Sequence, residues 1–251
     1  MPIEKLTVLA VVAALALLCS YKSATYSMEL QNRKNDAAPE TAYIYFDMVY
    51  VKGGTLTMGC TVEPCYLTDE KAHSVTVGDF SIGRYEVTQG LWKAVMGNNP
   101  SYFKGNDNLP VETVSWDDVQ EFIWELNEKT KKNYRLPTLD EWEYAARGGT
   151  NSKGYKYSGS NDIDDVAWYE KNSSNKTHIV GTKQANELGI YDMSGNVIEW
   201  TDNKIWTSYR YLAGCDWEET SARYCRVFRH AVAESSSGTK SFGFRLALSP
   251  D

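Results

Sequence analysis

Cations are scarce in this 251-residue chain: Lys and Arg number 26 against 33 Asp and Glu, a formal net charge of -7. Its long-range field therefore repels phosphate backbones and anionic lipid surfaces, and nucleic acid is excluded as a partner class. Histidine is scarcer still. The three present, His73, His178 and His230, are far apart and form no His-Glu-x-x-His pattern, so metalloprotease chemistry has no support. No Gly-x-Ser-x-Gly elbow, P-loop or glycine-rich dinucleotide fingerprint occurs, which removes the usual serine-hydrolase and nucleotide-binding readings. There is no Cys-x-x-Cys spacing for a zinc knuckle and no repeat of fixed period.

Long apolar runs are also missing. The longest, Leu6–Cys19, has the length of a signal-peptide core and is too short to span a bilayer of about 30 Å comfortably. Residues 1–19 are accordingly read as a signal peptide or membrane anchor, the only part expected to meet a membrane. Cys19 follows a Leu-rich core as in a bacterial lipoprotein site, although Leu18 departs from the small residue such sites prefer. Residues 20–42 are polar and aperiodic and read as a flexible linker, leaving 43–251 as one folded domain.

Four cysteines remain in that domain, as two near-neighbour pairs. Cys60 and Cys65 bracket a short loop that a disulfide would pin in an oxidising compartment. Cys215 and Cys225 are ten apart and leave three readings open: a structural disulfide, an unpaired buried Cys225, or a thiol pair for a soft metal or redox chemistry. Tyr43–Val51, the turn Gly53-Gly54 and Thr55–Met58 read as a hairpin, and 73–85 as two short strands broken at Gly78 and Gly83. Three helices follow: Gln89–Met96 capped by Thr88, a longer one capped by Ser115 with Asp118 at its third position, and Leu139–Arg147 opened by the Thr138/Glu141 capping box. Beyond Thr150 helical periodicity fades and short strands between ordered loops are expected, His178–Val180 and Phe242–Leu246 among them. The class is α+β.

Six segments, in order, carry a resemblance. They are Gly53–Gly59; Tyr85–Thr88; Pro110–Trp116; Tyr134–Thr138 with Glu141–Gly149; Asn186–Gly189 with Gly195-Asn196-Val197-Ile198-Glu199-Trp200; and Gly243-Phe244-Arg245-Leu246. Together they resemble the formylglycine-generating enzyme, or sulfatase-modifying factor, family over about residues 50–250. The resemblance implies a compact C-type-lectin-related fold with much irregular chain. It also implies calcium on Asp192, Gly195, Val197 and Glu199, a set whose two carboxylates and intervening carbonyls suit a hard cation. A second calcium position falls between about Asp164 and Ser174, where the match is too loose to name ligands.

The family's reaction oxidises a sulfatase cysteine to formylglycine with oxygen, using a copper(I)-binding cysteine pair five apart. Cys225 falls at the second of those positions. Cys215 falls where the family has a serine after a glycine pair, and the first cysteine's own position lies near Glu218. The expectation is therefore an exported binding or assembly module whose oxidase site is degenerate. A copper-dependent oxidase using Cys215 and Cys225 is the rival, and a lectin-like glycan binder the third reading. Trp142, Trp168, Trp200, Trp206 and Trp217 are candidates to line a groove for a peptide or glycan, and Arg245 is expected to fix neighbouring loops.

Overall fold

The computed structural model describes residues 47–66 and 71–250, all within one compact unit, Ile44–Asp251. The signal-peptide and linker readings, and Cys19, lie outside the described residues. Among the described residues no helix is long and apolar enough to cross a membrane.

The elements run β1 (Met48–Val51), β2 (Gly54–Met58), β3 (His73–Val77), β4 (Phe80–Gly83), α1 (Gln89–Met96), α2 (Trp116–Thr130), β5 (Tyr134–Arg135), α3 (Leu139–Ala146), α4 (Ile163–Val166), α5 (Glu170–Ser173), β6 (Ile198–Trp206), β7 (Tyr209–Ala213), β8 (His230–Glu234), β9 (Phe242–Gly243) and β10 (Ala247–Leu248). One antiparallel sheet has the order β1-β4-β10-β5, β2 and β3 form a separate ribbon, and a second four-stranded sheet has the order β8-β7-β6-β9. The closing strand β10 joins the N-terminal strands to β5, with Ala247 opposite both Ile82 and Arg135.

The expected hairpin across Gly53-Gly54 does not form. β1 pairs with β4, Tyr50 opposite Ser81, whereas β2 pairs with β3, Leu56 opposite Val75. The reason is steric and polar. A Cβ on Gly53 would meet Val77 O and Gly78 C at 2.5 Å, and the Gly53 amide donates to Asp79 Oδ1 at 2.8 Å. Gly53 thus lets the chain pass the β3–β4 turn closely and change sheets there, which any side chain would block.

The helix starts follow local chemistry. Ser115 accepts from the Asp118 amide while the Asp118 carboxylate accepts from the Ser115 amide, and Thr138 and Glu141 repeat the arrangement. Val119, Phe122, Ile123 and Leu126 of α2 face inward, the 3.6-residue spacing turned into a buried stripe. They meet Trp92 of α1, stacked on Phe122 at 5.0 Å, and Phe244, edge-on to Phe122 at 5.3 Å. A second core joins Phe80 and Ile82 of β4 to Trp142, Tyr144 and Ala145 of α3. After Thr150 the structure adds two one-turn helices, α4 and α5, and β6 as its longest strand, whereas His178–Val180 forms no strand.

Candidate functional site

Where β6 begins, three carboxylates and one guanidinium are buried together. Glu199, on β6, and Arg245, between β9 and β10, are both fully buried. Arg245 donates Nε to Glu199 Oε2 and Nη2 to Oε1, each at 2.7 Å, and Trp142 Nε1 adds a third bond to Oε2 at 2.8 Å. Its remaining donors reach Gly83 O and Tyr191 O, so Arg245 ties β4, β6 and the 191 loop together, the loop-fixing role its sequence context suggests. Glu86 lies alongside, accepting from Asn196 Nδ2 at 2.6 Å and from the Val197 amide at 3.1 Å. Asp192 Oδ2 accepts from the Gly181 amide at 2.6 Å, while its Oδ1 is buried with no hydrogen-bond partner.

The loop that presents these groups is strained in a way its sequence permits. Asp192 (φ 61°) and Asn196 (φ 65°) are left-handed, a region Asn and Asp tolerate better than most residues. A Cβ at Gly195 would sit 2.6 Å from Trp168 O. Burial, then the charges of Asp192 and Glu199, push the Glu86 carboxyl well above the usual carboxylate range. Burial likewise pushes Asp192 up to about 6. Burial works against charge on Arg245 too, but Glu199, Glu86 and Asp192 more than offset it and hold its pKa above the ordinary value. The cluster thus carries more carboxylate than its single cation neutralises.

Of the expected calcium ligands, Asp192, Gly195, Val197 and Glu199, the structure brings all four into this one loop-and-strand unit. Glu199 is nevertheless engaged by Arg245, and among the described residues no three His, Cys, Asp or Glu side chains converge as a metal cluster. Sequence reasoning gave Glu86 no role. Its motif was visible, but its partners lie 110 and 111 residues away.

Cys215 and Cys225 lie in the connection between β7 and β8. They are bridged, Cα to Cα 4.9 Å, and almost sealed, Cys215 3% and Cys225 0% exposed, among Tyr157, Ile163, Val166, Ala167 and Tyr169. Cys60 and Cys65 are bridged as well. Beside the inner bridge, burial pushes Asp216 up to about 6, against the hydrogen bond it accepts from the Glu218 amide.

Trp217, two residues past Cys215, is buried. Its Nε1 donates to Lys240 O at 3.0 Å, Phe103 meets its ring edge-on at 5.2 Å, and Lys240 Nζ lies 4.6 Å from the ring centre. Lys240 lines an open groove of about 560 Å³ with Pro100, Tyr102, Lys104, Thr113 and Thr239. The Thr113 amide donates to Thr239 O, holding its two sides together, and Tyr102 is 70% exposed within it. The tryptophans read as groove candidates do not share one surface. Trp142, Trp200 and Trp217 are core, Trp168 stacks on His178 at 3.7 Å, and Trp206 is exposed at the β6–β7 tip. Large rings in a loop-rich fold fill the spaces that short strands leave, and sequence alone does not separate this use from a binding one.

The sulfatase-modifying factor enzyme 1-like domain family matches residues 33–250. The chain belongs to this family. It is 41% identical to chaperone protein LppX of Paenibacillus barcinonensis, over 61% of the chain and 70% of that protein. It is 30% identical to inactive C-alpha-formylglycine-generating enzyme 2 of Bos taurus, over 64% of the chain, and spans only 57% of that relative's length. Among solved structures it resembles Treponema denticola variable protein 1, with a TM-score of 0.73 and 31% identity, covering 82% of the chain and 95% of that protein. The α+β architecture is therefore the formylglycine-generating-enzyme-like, C-type-lectin-related fold that the six motifs imply.

Proposed function

We propose that this chain is an exported member of the family that lacks the oxidase reaction and serves as a calcium-stabilised module binding a protein or peptide partner. The observation that carries this reading is the state of Cys225. A copper(I) site needs accessible thiolates, and Cys225 is bridged to Cys215 at 0% exposure. The inactive-enzyme and chaperone relatives support the same direction. Two disulfides favour an oxidising compartment, which agrees with export.

The groove beside Trp217 suits a peptide better than a glycan. It offers exposed Tyr102 and half-buried Pro100 for apolar contact and Lys104 for a carboxylate, Lys240 being paired with Glu218 at 3.3 Å, whereas three of the tryptophans a glycan platform would need are buried. The test is a peptide carrying a sulfatase cysteine motif, incubated with the chain, copper and air. No mass change is expected; conversion to formylglycine that Cys225→Ser abolishes would establish the oxidase instead.

The calcium proposal rests on the orphaned Asp192 Oδ1 and on three buried carboxylates facing one guanidinium. Asp192, the Gly195 and Val197 carbonyls and the lone pair that Arg245 leaves on Glu199 Oε1 would hold the ion. Bound calcium would supply positive charge to this loop and add stability by mass action. At free calcium a hundredfold above Kd the gain is about 2.7 kcal/mol, or about 5–10 °C in melting temperature for a domain of this size. Asp192→Asn should abolish most of that shift in a thermal scan with and without chelator. Equal melting temperatures for the unsubstituted chain in both conditions would remove calcium from the account.

A further inference from the structure

The two disulfides differ in a way the family's chemistry does not anticipate. Cys215 and Cys225 are sealed, whereas Cys65 is exposed and its partner Cys60 is 7% exposed. Arg226 lies against the inner sulfur. Its Nη1 is 4.0 Å from Cys60 Sγ and donates to Val62 O at 3.2 Å and Pro64 O at 2.8 Å, within the loop the bridge closes. Arg226 is itself only 7% exposed, its Nε is buried without a hydrogen-bond partner, and among the described residues no carboxylate pairs with it.

A buried guanidinium without a counter-ion is costly. The nearby Arg147 is not in that position, because Glu143 neutralises it at 2.6 Å while it binds Gly59 O and Thr61 Oγ1. On the other side of the bridge Glu63 Oε2 accepts from the Cys65 amide at 2.7 Å, which places a negative charge beside the outer cysteine. The two sulfurs are thus polarised: a thiolate at Cys60 would complete an ion pair with Arg226, and one at Cys65 would face Glu63.

We propose that Cys60–Cys65 is an exchange-active disulfide that accepts electrons from a dithiol on a partner protein, with Arg226 stabilising Cys60 as the leaving thiolate. A thiolate of the dithiol attacks Cys65 Sγ. The Cys60–Cys65 bond breaks, its electron pair stays on Cys60 Sγ beside Arg226, and a mixed disulfide forms on Cys65. The dithiol's second sulfur, having released its proton to water, then attacks the partner sulfur of that mixed disulfide. Cys65 leaves with the electron pair and takes up a proton. The dithiol is oxidised by two electrons to a disulfide, and the Cys60–Cys65 pair is reduced. A cation beside the leaving sulfur lowers its thiol pKa, and a lower leaving-group pKa speeds exchange.

The test exposes the full chain, purified without reductant, to reduced glutathione, followed by acid quenching, alkylation and peptide mass mapping. Cys60–Cys65 should react at least about tenfold faster than Cys215–Cys225, with glutathione on Cys65 and the free thiol on Cys60. Arg226→Gln should slow that exchange about tenfold, and Arg226→Lys should restore most of the rate. An Arg226 that served only as a clamp would have the opposite signature, since its loss would loosen the loop and speed reduction. Equal rates for the two bridges, glutathione on Cys60, or an unchanged or faster Arg226→Gln reaction would overturn the proposal. The melting temperature of each variant and the continued protection of Cys215–Cys225 establish that the fold is intact.

Discussion

Arg245→Met should cost about 3–5 kcal/mol of folding stability, a large effect for a single substitution in this chain. It leaves Glu199 fully buried with one hydrogen bond, from Trp142, and leaves Glu86 and Asp192 without their shared cation. The cost comes from stranding charge rather than from losing an attraction, so the second substitution should reverse much of it. Glu199→Gln in the Arg245→Met background removes one of the stranded charges, and the double variant should be more stable than Arg245→Met alone. Urea unfolding of the four chains of this cycle gives the coupling directly. A cost below 1 kcal/mol for Arg245→Met would show that the ion pair does not organise the site.

The second large effect concerns the sealed bridge. Replacing Cys215 and Cys225 together by Ala should lower stability by about 3 kcal/mol, the chain-entropy value for a loop of this length, and the melting temperature by about 6–12 °C. Alanine avoids placing a hydroxyl among Tyr157, Ile163, Val166 and Ala167, so the loss reports the cross-link and little else. A stable, fully folded double variant measured by calorimetry would argue that the bridge is not structural.

What the sequence made legible was local. Ser115 and Asp118 cap a helix within one turn, and the inward stripe of α2 follows from spacing alone. The buried pairings were not legible because their partners are remote. Glu199 reads as a calcium ligand, and its ion pair does not show until Arg245, 46 residues on, is placed against it. Arg226 reaches the Cys60–Cys65 loop across more than 160 residues. Tyr50 pairs with Ser81 instead of folding back onto β2, because the Gly53 passage is decided by the backbone of Val77 and Gly78, which no pattern in residues 48–58 encodes. The one-turn helices α4 and α5 are too short for a period to show.

For the candidate site the same division holds. The spacing of Cys215 and Cys225 admitted both a metal pair and a disulfide, and only the surrounding packing, set by Tyr157 and Ile163–Tyr169, closes off access to their sulfurs. The segment Asp192–Glu199, to which the resemblance assigns calcium, was visible, but the competing claim of Arg245 on Glu199 was not.

The most direct test of the account is the redox and metal state of the inner pair, measured on a chain carrying Cys60→Ala and Cys65→Ala so that the outer bridge plays no part. Protein purified without reductant is analysed by thiol labelling and intact mass, then titrated with copper(I) after mild reduction. The account predicts no labelling at Cys215 or Cys225 and no stoichiometric copper. Two free thiols there, holding one copper tightly, would contradict it and favour the oxidase.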